Sequence, residues 1–418
     1  MSDSASTAQE PRRDAIDVAR VLALGLVVVG HLLLAVIDRV DGAVRGANLL
    51  ALHPGWAVLA AAAPMPVFFA AGGYANATAT LGDSARRLRL LAGLASVVVV
   101  AWSIAVAIAV LTTGRSGIVG DGARLATQPL WFVAAYAPFA ASGRWLSERA
   151  ASRPIVSIGG CLVVLAGLDL VRFAVDGPEW IGWIGFAPAW VVPWLAGGWW
   201  RHRVEQGSFD EHRLGTVLAV AFALGAVVLV HGFGYSAALI DAVPGARSNT
   251  TPPTLYTATV GLAQVGVLML GARALDRLGR RWRRTWTRAG EAAVGVYVWH
   301  LTALSLCAAV VAAGFPMPRR LTASWWVTRP LWWATVLGVA LAFVIGTDRV
   351  RRRIRPSAER GDGSRSRLRS ATGVAILAAA GAAVGLKGPR SLPLAMVWSA
   401  LFVAAWWLLR VRPAEGRP

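Results

Sequence analysis

Long apolar stretches alternate with short polar segments along most of this chain. A membrane helix needs about 20 apolar residues to cross ~30 Å of hydrocarbon, and ten consecutive stretches approach this length. We therefore predict an all-α fold, a polytopic membrane helix bundle with ten core transmembrane helices. The predicted spans cover residues 16–37, 56–75, 90–112, 127–142, 155–175, 181–200, 214–231, 256–275, 291–313 and 328–347.

Two further apolar stretches follow the tenth span. Residues 371–386 and 391–410 are predicted to form a C-terminal membrane hairpin of two helices. The segment between core and hairpin is rich in arginine, serine and glycine, which is typical of a solvated linker. The chain is predicted to begin with a disordered cytoplasmic tail at 1–13, followed by a ten-helix membrane domain at 14–347. A basic cytoplasmic linker at 348–370 then leads to the hairpin and its tail at 371–418.

The arrangement of charges supports a membrane protein and predicts its orientation. Charged residues make up 15% of the chain, against about a quarter of a soluble domain. Seventeen arginines lie in the N-terminal segment and the loops on its side of the bundle, and eight lie in the loops on the other side. Because arginine-rich loops stay in the cytoplasm, the N-terminus is predicted to be cytoplasmic. The bias toward arginine, alanine and glycine favours a bacterial cytoplasmic membrane.

The net charge of +20 has two interpretations, a nucleic-acid partner or membrane topology. Only Lys387 among the 42 basic residues is a lysine, and nearly all the arginines flank apolar spans. This placement is expected for membrane helices, so we predict the lipid bilayer as a partner and no nucleic acid. The two cysteines, Cys161 and Cys307, lie inside spans without metal-ligand spacing, and no metal site is predicted.

The first span carries the strongest pair of candidate functional residues. Ionisable residues inside spans are costly and are functional candidates by default. Arg20 and His31 are eleven residues apart, which is about three helical turns, so they share one face with about 16 Å between them. Alternatively, Arg20 extends to the cytoplasmic interface and His31 caps the outer end of the helix. Asp17 lies one turn before Arg20 and either orients its guanidinium or places a favourable charge in the first turn.

Later spans contribute three further candidates. Tyr297 and His300 lie at positions i and i+3 of the ninth span and share a face. They are predicted to line the same cavity as Arg20 and His31 or to bind a substrate, or else to form hydrogen bonds between helices. Trp131 is a candidate for substrate binding, with packing or interfacial anchoring as the alternative.

Four segments, in a fixed order, resemble the integral-membrane acyltransferase family 3. The first runs from Arg13 through Arg20 to His31 and has the family's spacing between a first-helix Arg and His. The other three resemble the family's Phe-Phe-x-x-Ser-Gly-Tyr, Leu-Trp-Phe and Tyr-Leu-x-His segments, at residues 66–74, 129–132 and 295–300. Gly72 stands where the family usually has serine, so a hydroxyl role at that position is absent. The C-terminal hairpin lies outside the common core.

The resemblance implies a membrane-bound O-acyltransferase that uses acyl-CoA, most often acetyl-CoA, as a co-substrate and holds no permanent cofactor. The acceptor would be a hydroxyl of a sugar, glycolipid, envelope polymer or secreted metabolite. His31 is predicted to activate that hydroxyl, because imidazole transfers protons near neutral pH. Arg20 is predicted to position the donor, because its planar fork suits phosphate, and Asp17 to orient Arg20. Cytosolic donor and outer acceptor would then meet across the bilayer.

Two other function classes fit a buried Arg and His. One is a transporter or flippase that binds a translocated anion or proton. Transporters often contain repeated halves, and the sequence shows no clear repeat. The other is a catalytically silent relative, for which Gly72 is the supporting departure.

Overall fold

The structure is a computed structural model that describes residues 13–40, 43–53, 55–56, 62–79, 81–207, 209–240, 247–353 and 363–410. Within these ranges the chain is a bundle of α-helices with one small β-hairpin. Nine of the described helices are long and apolar enough to cross a membrane, and one more apolar helix is shorter. The predicted fold class, an all-α membrane helix bundle, is confirmed.

The elements are numbered in chain order. The helices are α1 (Asp14–Leu34), α2 (Leu49–Leu52), α3 (Met65–Asn76), α4 (Leu81–Thr113), α5 (Gly117–Thr127), α6 (Trp131–Ala141), α7 (Gly143–Ser152), α8 (Gly160–Ala174), α9 (Phe186–Glu205), α10 (Glu211–Phe233), α11 (Leu255–Arg281), α12 (Arg283–Ala312), α13 (Ala323–Arg353), α14 (Gly363–Lys387) and α15 (Leu392–Leu408). The strands are β1 (Ala35–Val40) and β2 (Ala43–Asn48), which pair antiparallel.

The first predicted span ends earlier than expected, because α1 stops at Leu34 and the chain turns into the hairpin. Val36, Ile37 and Val40 are β-branched, which favours an extended strand. Val40 pairs with Ala43, so two residues connect the strands. They are Asp-Gly in the sequence, a dipeptide typical of tight hairpin turns.

The predicted core spans agree with the described helices in most places. Of the nine long helices, one belongs to the C-terminal hairpin, and the remaining eight coincide with eight of the ten predicted core spans. The predicted span 56–75 is represented by α3, which begins only after Pro64. The predicted span 127–142 is represented by α6, which is entered through a 3₁₀ turn at residues 128–130. Ten complete core spans therefore stay a prediction.

Helix α1 lies against α3, α11 and α12, and α3 in turn packs closely on α9. Two glycines permit this second contact. A Cβ added at Gly73 would lie 2.0 Å from the carbonyl oxygen of Trp194, and one at Gly197 would lie 1.9 Å from that of Ala70. The α3 and α9 backbones touch directly, as small residues allow in membrane helix pairs.

The predicted C-terminal hairpin is present as α14 and α15, which pack against α6 and α4 respectively. Ser96 of α4 donates a hydrogen bond to the carbonyl of Phe402 at 3.0 Å. The predicted linker 348–370 includes the end of α13 and the start of α14, and residues 354–362 lie outside the described part. The tail prediction also falls on residues that are not described, apart from its last. The domain boundaries stay predictions.

Candidate functional site

A pair of histidines from distant parts of the chain meets inside the bundle. Nδ1 of His31, near the end of α1, lies 2.8 Å from Nε2 of His300 in the middle of α12. The two rings are nearly parallel, with 12° between their planes. His300 is fully buried, whereas His31 is only partly buried. The helix contact between α1 and α12 brings them together.

The hydrogen bonds of His300 define which nitrogen carries the proton in each ring. Nδ1 of His300 lies 2.5 Å from the carbonyl oxygen of Tyr297, and a carbonyl only accepts, so this nitrogen donates. In a neutral ring Nε2 of His300 is then an acceptor, and Nδ1 of His31 donates to it. The remaining nitrogen, Nε2 of His31, holds a free lone pair. It has no hydrogen-bond partner in the described part of the chain.

Tyr297 connects this pair to the segment before α6. Its side chain is 1% exposed, and its hydroxyl donates to the carbonyl of Pro129 at 3.2 Å. Its ring meets the ring of Phe132 edge to face, with 4.9 Å between the centroids. Two of the sequence segments singled out above, 129–132 and 295–300, therefore contact each other.

Arg20 joins the same set of residues from the other end of α1. Its guanidinium carbon lies 5.9 Å from the ring centroid of Phe68 in α3. Phe68 in turn meets Phe132 edge to face at 6.2 Å. The guanidinium forms no hydrogen bond or ion pair with any described residue. Its donors are available to a ligand.

The contacts close into a circuit that uses all four sequence segments. It runs from Arg20 through Phe68, Phe132, Tyr297 and His300 to His31. Helix α1 completes the circuit, since it carries both ends. These residues therefore connect α1, α3, α6 and α12 through one continuous set of contacts.

One family model covers all four of these segments. The model of acyltransferase family 3, described as an acyltransferase domain, matches residues 13–349. The chain belongs to acyltransferase family 3. The match spans α1 to α13 and leaves out the hairpin of α14 and α15. No curated protein and no solved structure matches the chain.

The family match begins at Arg13. The contacts of this residue hold the start of α1 in place. Its guanidinium binds Glu211 through two hydrogen bonds of 2.5 and 3.0 Å and Asp276 through one of 3.2 Å. The backbone N–H of Ala15 also donates to Asp276, at 2.8 Å. Burial lowers the pKa of Arg13, but the hydrogen bonds and charge interactions with Glu211 and Tyr74 together outweigh it, so the pKa lies above its ordinary value. Helix α1 is thus tied to α10 and α11.

Two predicted site residues lie at the margins of the circuit. Asp17 is partly exposed and lies one turn before Arg20 on α1. Trp131 opens α6 and packs against Trp190, with 5.1 Å between ring centroids. On another side Trp131 lies against α14, because a Cβ added at Gly385 would lie 2.8 Å from the Cβ of Trp131. The functional roles predicted for Asp17 and Trp131 stay predictions.

The departure from the family pattern at Gly72 has a packing explanation. A Cβ at Gly72 would lie 2.7 Å from Cζ3 of Trp194. The fully buried Trp194 ring therefore fills the space that a serine side chain would need. The carbonyl of Gly72 still accepts a hydrogen bond from Asn76, at 2.8 Å. The position of the Trp194 ring therefore explains why residue 72 is a glycine.

Sequence reasoning found the members of the site but not all of their contacts. It predicted that Tyr297 and His300 line the same cavity or bind the acceptor, or else form hydrogen bonds between helices. The structure places His300 in a hydrogen bond with His31 of another helix, and acceptor binding stays a prediction. The spacing of Tyr297 and His300 indicates a shared helix face, yet it carries no information on which helix lies opposite. Among the described residues, no group of three or more His, Cys, Asp and Glu could hold a metal ion.

Proposed function

We propose that this member of acyltransferase family 3 is a membrane-bound O-acyltransferase that uses acyl-CoA, with acetyl as the acyl group. The hydrogen bond between His31 and His300 is the observation that carries the proposal. It holds His31 in the tautomer whose free Nε2 can accept a proton, as an orienting partner does for a general base. The acceptor would be a hydroxyl of a sugar, glycolipid, envelope polymer or secreted metabolite.

The proposed reaction uses His31 as the base and then as the acid. Nε2 of His31 takes the proton of the acceptor hydroxyl while its oxygen attacks the acyl carbon. A carbon–oxygen bond forms, the carbon–sulfur bond breaks, and the electron pair of that bond leaves on sulfur. The proton held by His31 then passes to the thiolate, which gives CoA thiol and the acylated product. Positive charge develops only transiently on the imidazole of His31.

Arg20 is proposed to bind the donor. Its guanidinium lies beside Phe68 and has no protein partner among the described residues. A free guanidinium fork suits the phosphates of CoA or the developing oxyanion. We infer that CoA enters at the end of the bundle where α1 begins and the acceptor at the other end. This direction supposes a bacterial cytoplasmic membrane with a cytoplasmic N-terminus.

Thiol release from acetyl-CoA by membranes that contain the protein tests this proposal. The variant His31→Ala should lose about 10²–10⁴-fold in rate, the usual contribution of a general base. The matched control is His231→Ala, because His231 is exposed in the last turn of α10. Thiol release by His31→Ala at the wild-type rate would overturn the proposal. Anion or proton uptake into vesicles without thiol release would identify a transporter instead.

A further inference from the structure

Arg329 of α13 lies inside the bundle with most of its hydrogen-bonding capacity unused. The residue is 1% exposed, and its Nε donates to the carbonyl of Trp325 one turn earlier, at 3.3 Å. Within the described ranges, neither Nη1 nor Nη2 has a hydrogen-bond partner. A buried charge without a counterion is costly, so its presence indicates a partner from outside the described protein.

Two indole rings lie close to the guanidinium of Arg329, whose Nη atoms have no hydrogen-bond partner among the described residues. The guanidinium carbon lies 4.0 Å from the ring centroid of Trp325 and 5.6 Å from that of Trp332. Rings in these positions cover the faces of a guanidinium by cation–π contact. The two Nη atoms lie on the edge, where two parallel hydrogen bonds to a carboxylate or phosphate form.

The neighbouring polar atoms are also donors without acceptors. Trp325, Arg329, Trp332 and Trp333 share one face of α13, at intervals of about one and two turns. The indole Nε1 atoms of the three tryptophans are buried and have no hydrogen-bond partner in the described structure. An indole N–H can only donate, so this face is rich in donors and suits an anion.

This donor-rich face lies next to the end of α1 that carries His31. Trp325 packs in one buried cluster with Val36 of β1, and Leu33 and Leu34 of α1 pack against it. Leu33 and Leu34 follow His31 within a single helical turn. Arg329 is therefore at the opposite end of the bundle from Arg13, at the end where the acceptor is proposed to enter.

A series of aromatic rings leads from the protein exterior to Arg329. Trp325 contacts Trp326 at 4.8 Å, Trp326 contacts Trp56 at 6.2 Å, and Trp56 stacks on His53 at 5.4 Å between centroids. Trp326 is 36% exposed and Trp56 is 41% exposed. Large aromatic surfaces that are partly exposed mark interaction sites more often than isolated apolar residues do.

We propose that Arg329 is the centre of an anion-binding subsite that holds a phosphate or carboxylate group of the hydroxyl-bearing acceptor beside His31. The identity of the ligand as the acceptor rests on the proposed acyl transfer, whereas anion binding itself does not. The same chemistry would bind the phosphate of a lipid headgroup. The experiment below separates these two sources and uses no catalytic readout.

Thermal unfolding of the purified full chain in phosphatidylcholine nanodiscs tests the site, with inorganic phosphate replacing chloride at constant ionic strength. The wild-type midpoint should rise by roughly 2–4 °C and then saturate, because a ligand that binds only the folded state stabilises it. Arg329→Met should show no rise. It should also unfold at a higher temperature than the wild type without phosphate, since an unpaired buried charge is removed.

The matched control is Arg319→Met, an exposed arginine at the same end of the bundle, which should keep the wild-type response. If a lipid phosphate is the natural occupant, nanodiscs with phosphatidylglycerol should raise the wild-type midpoint without added phosphate and leave that of Arg329→Met unchanged. The proposal fails if phosphate stabilises the Arg329→Met protein equally, or if the wild type responds to neither anion. It also fails if Arg329→Met lowers the unfolding midpoint in every condition, since a group of the protein itself would then be the partner.

Discussion

His31 and His300 are 269 positions apart in the chain and share a hydrogen bond of 2.8 Å. His300 is oriented by its own backbone neighbour, the carbonyl of Tyr297 at 2.5 Å. The pair resembles the arrangement in which a catalytic histidine is oriented by a hydrogen-bond acceptor, except that the orienting group is a neutral imidazole rather than a carboxylate. A neutral partner fixes the tautomer of His31 and adds no negative charge.

Replacement of His300 should separate its orienting role from simple packing. We expect His300→Phe to lower kcat by about 10–100-fold, because Nδ1 of His31 loses its acceptor. His300→Asn supplies an amide oxygen as an alternative acceptor and should recover part of that loss. Acetyl-CoA-dependent thiol release and unfolding midpoints, measured together, check this prediction. Equal losses in both variants, in step with their stability, would show that His300 acts only through packing.

A side chain at Gly72 should destabilise the protein. Gly72→Ala places a Cβ 2.7 Å from the Trp194 ring, and overpacking of this kind costs about 1–3 kcal/mol. Gly25→Ala is the control, because a Cβ there meets nothing within 4 Å and the position also lies in a membrane helix. Unfolding midpoints in the same detergent should fall only for the first variant. Gly72→Ala with an unchanged midpoint would mean that the Trp194 ring moves away freely.

Loss of the anchor at the start of α1 should weaken the fold. Glu211→Gln neutralises one of the two carboxylates that bind the Arg13 guanidinium, which is 14% exposed, and leaves Asp276 as the other. Weakening a charged hydrogen bond costs about 1.5–3 kcal/mol. Glu148→Gln removes an exposed ion pair with Arg144 and should change stability by less than about 1 kcal/mol. Chemical unfolding of both variants measures the difference. The prediction is wrong if the two substitutions cost the same.

The C-terminal hairpin should influence the site through Trp131. Gly385→Leu would push α14 away from α6, because even a Cβ at this position lies 2.8 Å from that of Trp131. Pro129 lies two residues before Trp131, and its carbonyl accepts the hydrogen bond from Tyr297 of the site. The geometry of that hydrogen bond therefore depends on the position of Trp131. We expect the rate of acyl transfer to fall several-fold or more, because a displacement of about 1 Å in a site is enough to lower its rate. Gly338→Leu, at an open position of α13, should leave the rate unchanged.

Local patterns were enough to predict the helices and the opening pair of residues. The apolar lengths predicted ten core spans, of which eight coincide with long described helices, and Arg20 and His31 lie on one helix as predicted. Local patterns do not indicate which helices pack against each other. The contact between Tyr297 and Pro129 joins positions 168 apart, and it depends on how whole helices pack.

Two misses show where tertiary structure overrides local pattern. The apolar residues after Leu34 continue the hydrophobic run, yet most of them are β-branched, and they form a strand that pairs with the next one in a hairpin. Arg329 stands at the beginning of the predicted tenth span, a position where arginine ordinarily reaches the interface. Only the packing of Trp325 and Trp332 shows that it is enclosed.

The direct backbone contact at Gly73 and Gly197 limits how this protein can change over evolutionary time. Neither position can accept even one methyl group unless α3 and α9 separate, and their separation would displace Phe68, which lies one turn and a half before Gly73. Substitutions at the two glycines must therefore occur together with a new crossing of the helices. Relatives that differ there should also differ in the shape of the region around Phe68 and Arg20.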